Sequence, residues 1–154
     1  MTPIPPYPIR RVAEPPAAEG PMLRLCASDE LQERGKGVVF DIRHYGEAAR
    51  AFALRFEGKV VAYVNRCAHV PAELDWMPGE FLDSSREYII CAVHGAAYTP
   101  GDGRCAGGPC GRGRLVALAV EERADGVYWQ PTRDTRPAPT LPPAPPAPSS
   151  PAAP

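Results

Sequence analysis

Two short segments of this chain each place a cysteine close to a histidine. The first is Cys67-Ala68-His69, and the second is Cys91-Ala92-Val93-His94. Since the chain has five cysteines and three histidines in all, two such pairs seldom arise by chance. A spacing of one or two residues lets a single loop turn aim both side chains at one site. Thiolates suit iron–sulfur clusters and imidazoles suit iron or zinc, so the two segments predict a metal centre.

Two kinds of metal centre fit these residue types. Four Cys and His ligands can form a closed tetrahedral zinc site, but zinc modules usually place cysteine near cysteine and histidine near histidine. Here each segment supplies one of each, which favours an iron–sulfur cluster over zinc. Cys67 and Cys91 would then hold one iron, and His69 and His94 the other. Two neutral imidazoles in place of thiolates remove negative charge, so reduction costs less than in an all-cysteine cluster.

The elements that must position these residues are predicted to be β-strands. Short apolar or alternating runs separated by glycine turns are typical of an all-β sandwich or small barrel. The long interruptions at 66–86 and 93–113 carry candidate ligands, and loops of that length usually have a function. The predicted strands are 22–26, 38–42, 49–56, 59–65, 87–92, 115–120 and 127–129.

The two pairs resemble the signature of the Rieske iron–sulfur family, Cys-x-His followed by Cys-x-x-His-Gly. They read CAH at 67–69 and CAVHG at 91–95. The resemblance extends over about residues 22–130, and it implies a Rieske-type antiparallel β-sandwich with two cluster-binding loops and one 2Fe–2S cluster. Further matching positions are Asn65, Tyr98, the turn at 101–103, and the glycine–proline segment Gly107-Gly108-Pro109. Tyr98, Gly108 and Pro109 are therefore expected beside the cluster.

The departures from the family pattern predict a low reduction potential. High-potential members carry an additional cysteine in each loop, joined as a disulfide, but here those positions are Ala72 and Val93. A serine that hydrogen-bonds a bridging sulfur is replaced by Ala96, whereas the matching tyrosine is kept as Tyr98. Hydrogen bonds to the sulfurs stabilise the reduced cluster, so we expect a potential near the low end of the Rieske range, about −150 mV.

Two other features leave alternatives open. Cys105 and Cys110 could form a disulfide or remain thiols, because sequence does not fix their geometry. The segment 73–77, which contains Trp76, could be a docking surface with Glu73 and Asp75 facing a basic partner. It could also be a surface excursion with one anchoring aromatic, the interpretation we favour because buried tryptophans mostly serve packing.

The ends of the chain are rich in proline. Residues 1–21 carry seven prolines and residues 131–154 carry ten of the 21 in the chain. Proline removes a backbone donor, and both ends show little apolar periodicity. We predict a Pro-rich N-terminal arm over 1–21, a Rieske 2Fe–2S domain over 22–130, and a disordered Pro/Ala-rich tail over 131–154.

Composition and charge bear on nucleic-acid binding, membrane insertion and export. A net charge of −1 with only short basic runs does not predict nucleic-acid binding. No apolar run approaches the eighteen or so residues of a membrane span. Arg10 and Arg11 are followed by a polar, proline-rich segment rather than the apolar region of an export signal. We therefore expect a cytoplasmic protein that does not enter a membrane.

The predicted function is the transfer of single electrons between a flavin-dependent reductase and an oxygenase or another acceptor. No catalytic residues are predicted, since a Rieske oxygenase also needs an iron site of two histidines and a carboxylate. With His69 and His94 used, only His44 remains. The chain could alternatively be the iron–sulfur subunit of a multicomponent oxygenase. A third alternative is a redox-sensing or interaction module that docks through its proline-rich tail.

Overall fold

The computed structural model describes residues 18–68 and 70–139, and this part of the chain forms three antiparallel β-sheets. The predicted ligand His69 and the terminal residues 1–17 and 140–154 lie outside the described residues. The first sheet has the order β1-β9-β8, with β1 at Leu23–Cys26, β8 at Ala119–Arg123 and β9 at Gly126–Gln130. The predicted all-β antiparallel fold is confirmed.

The second sheet is the largest and has the order β10-β2-β3-β4. Its strands are β2 (Val38–His44), β3 (Glu47–Phe56), β4 (Lys59–Val64) and β10 (Thr135–Pro137). The third sheet, β5-β6-β7, is much smaller: β5 is Ile89–Ile90, β6 is Ala97–Tyr98 and β7 is Cys105–Gly107. A 3-10 helix covers Ser28–Glu30. In the part of the chain just described, no helix is long and apolar enough to cross a bilayer.

Strand β3 lies at the centre of the fold and is covered on both faces. We expected a half-buried strand from its alternation with arginine, but Ala51, Phe52, Ala53 and Leu54 are all fully buried. Successive side chains of a strand point to opposite faces. Ala51 and Ala53 therefore pack towards the first sheet, while Phe52 and Leu54 pack towards the third sheet and its loops.

Two hydrophobic cores result from this arrangement. The core between the first and second sheets consists of Cys26, Leu31, Ile42, Ala51, Ala53, Ala62, Val64, Leu118, Val127 and Trp129. The core beneath the candidate site consists of Phe52, Leu54, Tyr63, Cys67, Leu74, Phe81, Leu82, Ile89, Cys91, Ala96, Tyr98, Cys110 and Leu115. The predicted loop at 66–86 thus supplies four core side chains, Cys67, Leu74, Phe81 and Leu82, and is a packed part of the fold.

The strand boundaries near the site differ from the sequence prediction. The strand predicted at 87–92 is only Ile89–Ile90, because Cys91 already donates its N–H to the Ala96 carbonyl and begins a turn. The strand predicted at 115–120 is observed at 119–123 instead, since it pairs with Gly126–Gln130 across the turn. Strands β6 and β7 were not predicted, as runs of two or three residues carry no periodicity.

Part of the segment predicted as a tail, residues 131–154, forms a strand. Thr135–Pro137 forms β10 along the edge of β2, with Thr135 opposite His44 and Pro137 opposite Ile42. A proline is tolerated there because β10 is an edge strand. Ala18 forms an antiparallel bridge with Thr132, so part of the predicted N-terminal arm also joins the fold.

Candidate metal centre

The first loop of the site, residues 65–76, leaves β4 and is held by the buried side chain of Asn65. Its amide oxygen accepts the N–H of Leu74 at 2.7 Å, and its amide nitrogen donates to Asp75 Oδ1 at 3.0 Å. Cys67 N–H donates to the Ala72 carbonyl at 2.8 Å. Asn65 therefore ties the two ends of the loop together and fixes where Cys67 can lie.

The second loop, residues 91–96, is a tight turn between β5 and β6. Cys91 N–H donates to the Ala96 carbonyl at 2.7 Å, and Gly95 N–H donates to the Cys91 carbonyl at 3.0 Å. Ala92 N–H donates to Leu74 O at 3.1 Å, which joins this loop to the first. Cys91 is buried, whereas His94 and Gly95 are exposed. The turn thus points its cysteine inwards and leaves its histidine end at the surface.

The two cysteines of the predicted ligand set come together beneath these loops. Both Cys67 and Cys91 are buried, and the Cys67 thiol is close enough to raise the pKa of Cys91. Tyr98, fully buried on β6, places its hydroxyl oxygen 3.3 Å from Cys67 Sγ and 3.0 Å from the backbone nitrogen of Ala68. Since the hydroxyl accepts the Ala68 N–H, its own proton is available to the sulfur.

Two factors shift the pKa of the Cys91 thiol: its burial, and backbone N–H groups that point at its sulfur. Burial is the main cause that raises the pKa of the Cys91 thiol, and the backbone N–H groups of Val93 and His94 act in the opposite direction because they hydrogen-bond its sulfur. Burial also raises the pKa of Tyr98, as does its hydrogen bond with Cys67. Donors aimed at a thiolate stabilise it, but burial outweighs them here, so the pKa of the Cys91 thiol is raised overall.

A third segment, the cover loop (residues 105–113), lies against both loops. A Cβ at Gly108, whose φ is +81°, would lie 2.8 Å from the Gly95 carbonyl oxygen. A Cβ at Gly113 would lie 2.8 Å from Ala68 Cβ. Both positions therefore require glycine for close approach. Pro109, predicted beside the cluster, is exposed in this loop.

The open question about Cys105 and Cys110 is resolved as a disulfide. Their Cα atoms are 5.7 Å apart, and the bond closes the exposed segment Gly107–Pro109 into a small ring. The remaining cysteine, Cys26, lies buried in the core between the first two sheets, as its place in a predicted strand suggested.

The segment around Trp76 is partly exposed. Trp76 is 50% exposed, donates its Nε1–H to the Leu82 carbonyl and lines a groove of about 680 Å³ that reaches Cys91 and Gly95. Asp75 is used internally by Asn65 and Gly79, and Glu73 pairs with Arg50. Asp75 thus stabilises the loop from within, whereas Glu73 and Trp76 stay partly accessible at the surface.

Of the predicted site residues, Cys67, Cys91 and Tyr98 are in one buried cluster. Gly108 meets the second loop at Gly95, His94 and Pro109 are exposed in the second loop and the cover loop, and His69 lies outside the described residues. Within 18–68 and 70–139, no three His, Cys, Asp or Glu side chains are grouped as one metal ion would require. The close contact of Gly113 with Ala68 of the first loop was not predicted from the sequence. A single glycine between two arginines in a loop carries no pattern that would indicate it.

Comparison with known proteins agrees with this geometry. Residues 22–121 match the Rieske [2Fe-2S] domain family model, and no curated protein matches the chain. The fold is similar to the ferredoxin of carbazole 1,9a-dioxygenase from Nocardioides aromaticivorans IC177, with 22% identity, a TM-score of 0.58, and coverage of 73% of this chain and 100% of that one.

Two further solved structures contain a similar fold. One belongs to a complex of reduced oxygenase and oxidized ferredoxin in carbazole 1,9a-dioxygenase, with 25% identity, a TM-score of 0.54, and coverage of 71% of this chain and 92% of that one. The other is the terminal oxygenase of carbazole 1,9a-dioxygenase from Nocardioides aromaticivorans IC177. It shows 21% identity, a TM-score of 0.59, and coverage of 79% of this chain but only 32% of that one.

Proposed function

This chain belongs to the Rieske [2Fe-2S] domain family, and from that premise we propose that it carries single electrons to an oxygenase component. Its cofactor is one 2Fe–2S cluster. Cys67 and Cys91 hold one iron in this proposal, and His69 and His94 hold the other. The assignment of His69 rests on its place in the sequence signature.

The residues around the site fit such a cluster. Two thiols lie side by side in a buried pocket, and backbone N–H groups of Val93 and His94 point at the sulfur of Cys91. The cover loop requires glycine at two places where it meets the cluster loops. Thiolate and imidazole donors are those that iron takes in clusters of this type.

When bound, the cluster supplies a one-electron change between its oxidised and reduced states. The residues of this chain orient it, exclude water from it and set its potential. Tyr98 donates a hydrogen bond to Cys67 Sγ, which favours the more negative, reduced state. Ala96 has no hydroxyl to add a second such bond and is fully buried, in keeping with the low potential of about −150 mV expected for this ligand environment.

The main support for an electron-carrier function is that one end of the second loop is buried and the other is exposed to solvent. Cys91 is fully buried, but Val93 is 51% exposed and His94 lies at the surface beside it. An electron partner can therefore approach the histidine side of the site without opening the fold. Coverage of a whole ferredoxin chain, against a third of an oxygenase chain, also supports a carrier over an oxygenase subunit.

The proposed electron donor is a flavin-dependent reductase and the proposed location is the cytoplasm. The sequence shows no nucleotide-binding fingerprint, so the chain needs a separate protein to take electrons from NAD(P)H. Cell fractionation tests the location, and purification under mild conditions followed by flavin analysis tests the donor.

The experiment for the carrier function uses the anaerobically purified full chain. We expect iron and sulfide in equal amounts, an EPR signal of mixed His/Cys ligation after dithionite reduction, and delivery of one electron per chain to cytochrome c as the probe acceptor. NADH alone should leave the protein oxidised. Zinc in place of iron, or oxidation of NADH by the chain alone, would contradict the proposal.

A further inference from the structure

The disulfide Cys105–Cys110 lies in a segment that touches both cluster loops. Gly108, inside the disulfide ring, is held against Gly95 and Ala96 of the second loop, and Gly113, three residues beyond the ring, is held against Ala68 of the first. If the cover loop became more mobile at this ring, its contacts with both cluster-binding loops would weaken.

Few other interactions hold this segment in place. Its strand β7 is three residues long and pairs with the two residues of β6 through an irregular register. Cys105 N–H donates to the Gly113 carbonyl, and Gly113 N–H donates to the Cys110 carbonyl. Gly107, Gly108 and Pro109 are exposed. A short, exposed segment with few backbone bonds opens easily unless a cross-link restrains it.

The two sulfurs of the disulfide differ in accessibility. Cys105 is half-buried, whereas Cys110 is buried, with its sulfur 3.2 Å from the Gly107 carbonyl oxygen and 3.6 Å from that of Ala97. An attacking thiolate can reach Cys105, and Cys110 would be the leaving sulfur. Both carbonyl oxygens can accept a hydrogen bond from the Cys110 thiol once it is protonated.

We propose that Cys105–Cys110 is a second redox centre, reduced by a dithiol, whose state controls how tightly the cover loop closes the cluster site. One thiolate of the dithiol attacks Cys105 Sγ and the bond to Cys110 breaks; the second thiol then releases Cys105. Two electrons and two protons pass to the protein, and the dithiol becomes a disulfide. The effect on the cluster rests on the proposed function, whereas the exchange reaction itself does not.

The test compares the cluster-loaded wild-type chain with the double variant Cys105→Ser/Cys110→Ser, each with and without dithiothreitol. In the wild type, we expect the number of cysteines alkylated after denaturing quench to rise by two. Its visible absorption should decay roughly tenfold faster, the order expected when a short closed loop is released. The double variant should decay at the faster rate whether or not the dithiol is present, which controls for direct attack on iron.

Amide hydrogen exchange gives a readout that does not need the cluster. In the wild type, dithiothreitol should raise exchange at residues 95–97 and 105–113 but leave β3 unchanged, and the double variant should not respond. Failure to gain two alkylated cysteines would overturn the redox centre. A gain of two with unchanged exchange and decay would overturn its control of the loop. A chain that takes up no iron would refute the proposed function, while the alkylation and exchange results would still decide this proposal.

Discussion

The molecule has two regions that are built in different ways. The body is made of the first two sheets, and three strands of its second sheet are long and in regular register: β2 and β3 pair at seven positions and β3 and β4 at six. The site lobe, made of β5, β6, β7 and the loops around them, has strands of two or three residues. Regular sheet pairing and an apolar core hold the body, whereas the lobe has an apolar core, little regular pairing and a few individual interactions.

Three individual interactions that hold the lobe can be named. Asn65 closes the first loop, Tyr98 joins it to β6, and the disulfide closes the cover loop. The proposed cluster would add four more bonds between the same loops. A region with so little regular pairing gains much of its order from its cofactor. The two regions should therefore respond differently to the same kind of substitution.

The largest expected effect is loss of the cluster from the lobe while the body stays folded. His94→Ala should abolish the visible absorption and EPR signal of the cluster, because an iron ligand is lost, while the far-UV circular dichroism of the body persists. His44→Ala is the matched control: His44 lies on β2 of the body and should leave the cluster spectrum intact. A His94→Ala protein with a full, wild-type cluster spectrum would contradict the ligand assignment.

The same contrast explains what could be predicted from the sequence. The body was recognisable because strands such as 38–42, 49–56 and 59–65 are long enough to show periodicity. The site was recognisable because Cys67 and Cys91 have distinctive chemistry and spacing.

The remainder of the lobe depends on tertiary contacts. The burial of Phe81 and the close approach of Gly113 to Ala68 involve single residues in loops, which carry no periodic signal. Strand β10 was missed because its pairing with β2 is decided by an available sheet edge, while its own composition resembles the proline-rich tail.

The next largest effect concerns the junction of the two regions. Phe52 of β3 stacks on Phe81 of the lobe, with ring centroids 3.8 Å apart and planes 10° from parallel. Phe52→Ala should lower the free energy of unfolding by about 3–4 kcal/mol, as expected for a buried aromatic, and should weaken retention of the cluster as well. Urea titration and visible absorption measure the two effects.

Phe40→Ala is the control for that junction. Phe40 is half-buried and packs on Trp129 within the body, with ring centroids 5.5 Å apart. It should cost stability without increasing the rate of cluster loss. Equal cluster loss in the Phe40 and Phe52 variants would mean that the body and the lobe unfold as one unit.

A smaller effect is expected at the outer edge of the body. Ending the chain at Gln130 removes β10, whose Thr135 is buried, and exposes the edge of β2. We expect a loss of roughly 2 kcal/mol in unfolding free energy from the uncovered apolar surface, with an unchanged cluster spectrum. A chain that ends at Pro139 keeps β10 and is the control. Equal stability of the two truncated chains would show that β10 contributes nothing.

The smallest effect tests whether one hydroxyl group tunes the site. Tyr98→Phe removes the hydrogen bond to Cys67 Sγ, so the reduced cluster loses stabilisation. The midpoint potential should fall by roughly 50–100 mV, equivalent to a bond of about 1–2 kcal/mol. Tyr63→Phe is the matched control, because Tyr63 is also buried but donates to the Pro100 carbonyl at 2.6 Å. It should lower stability without moving the potential, whereas equal shifts in both variants would assign the effect to packing.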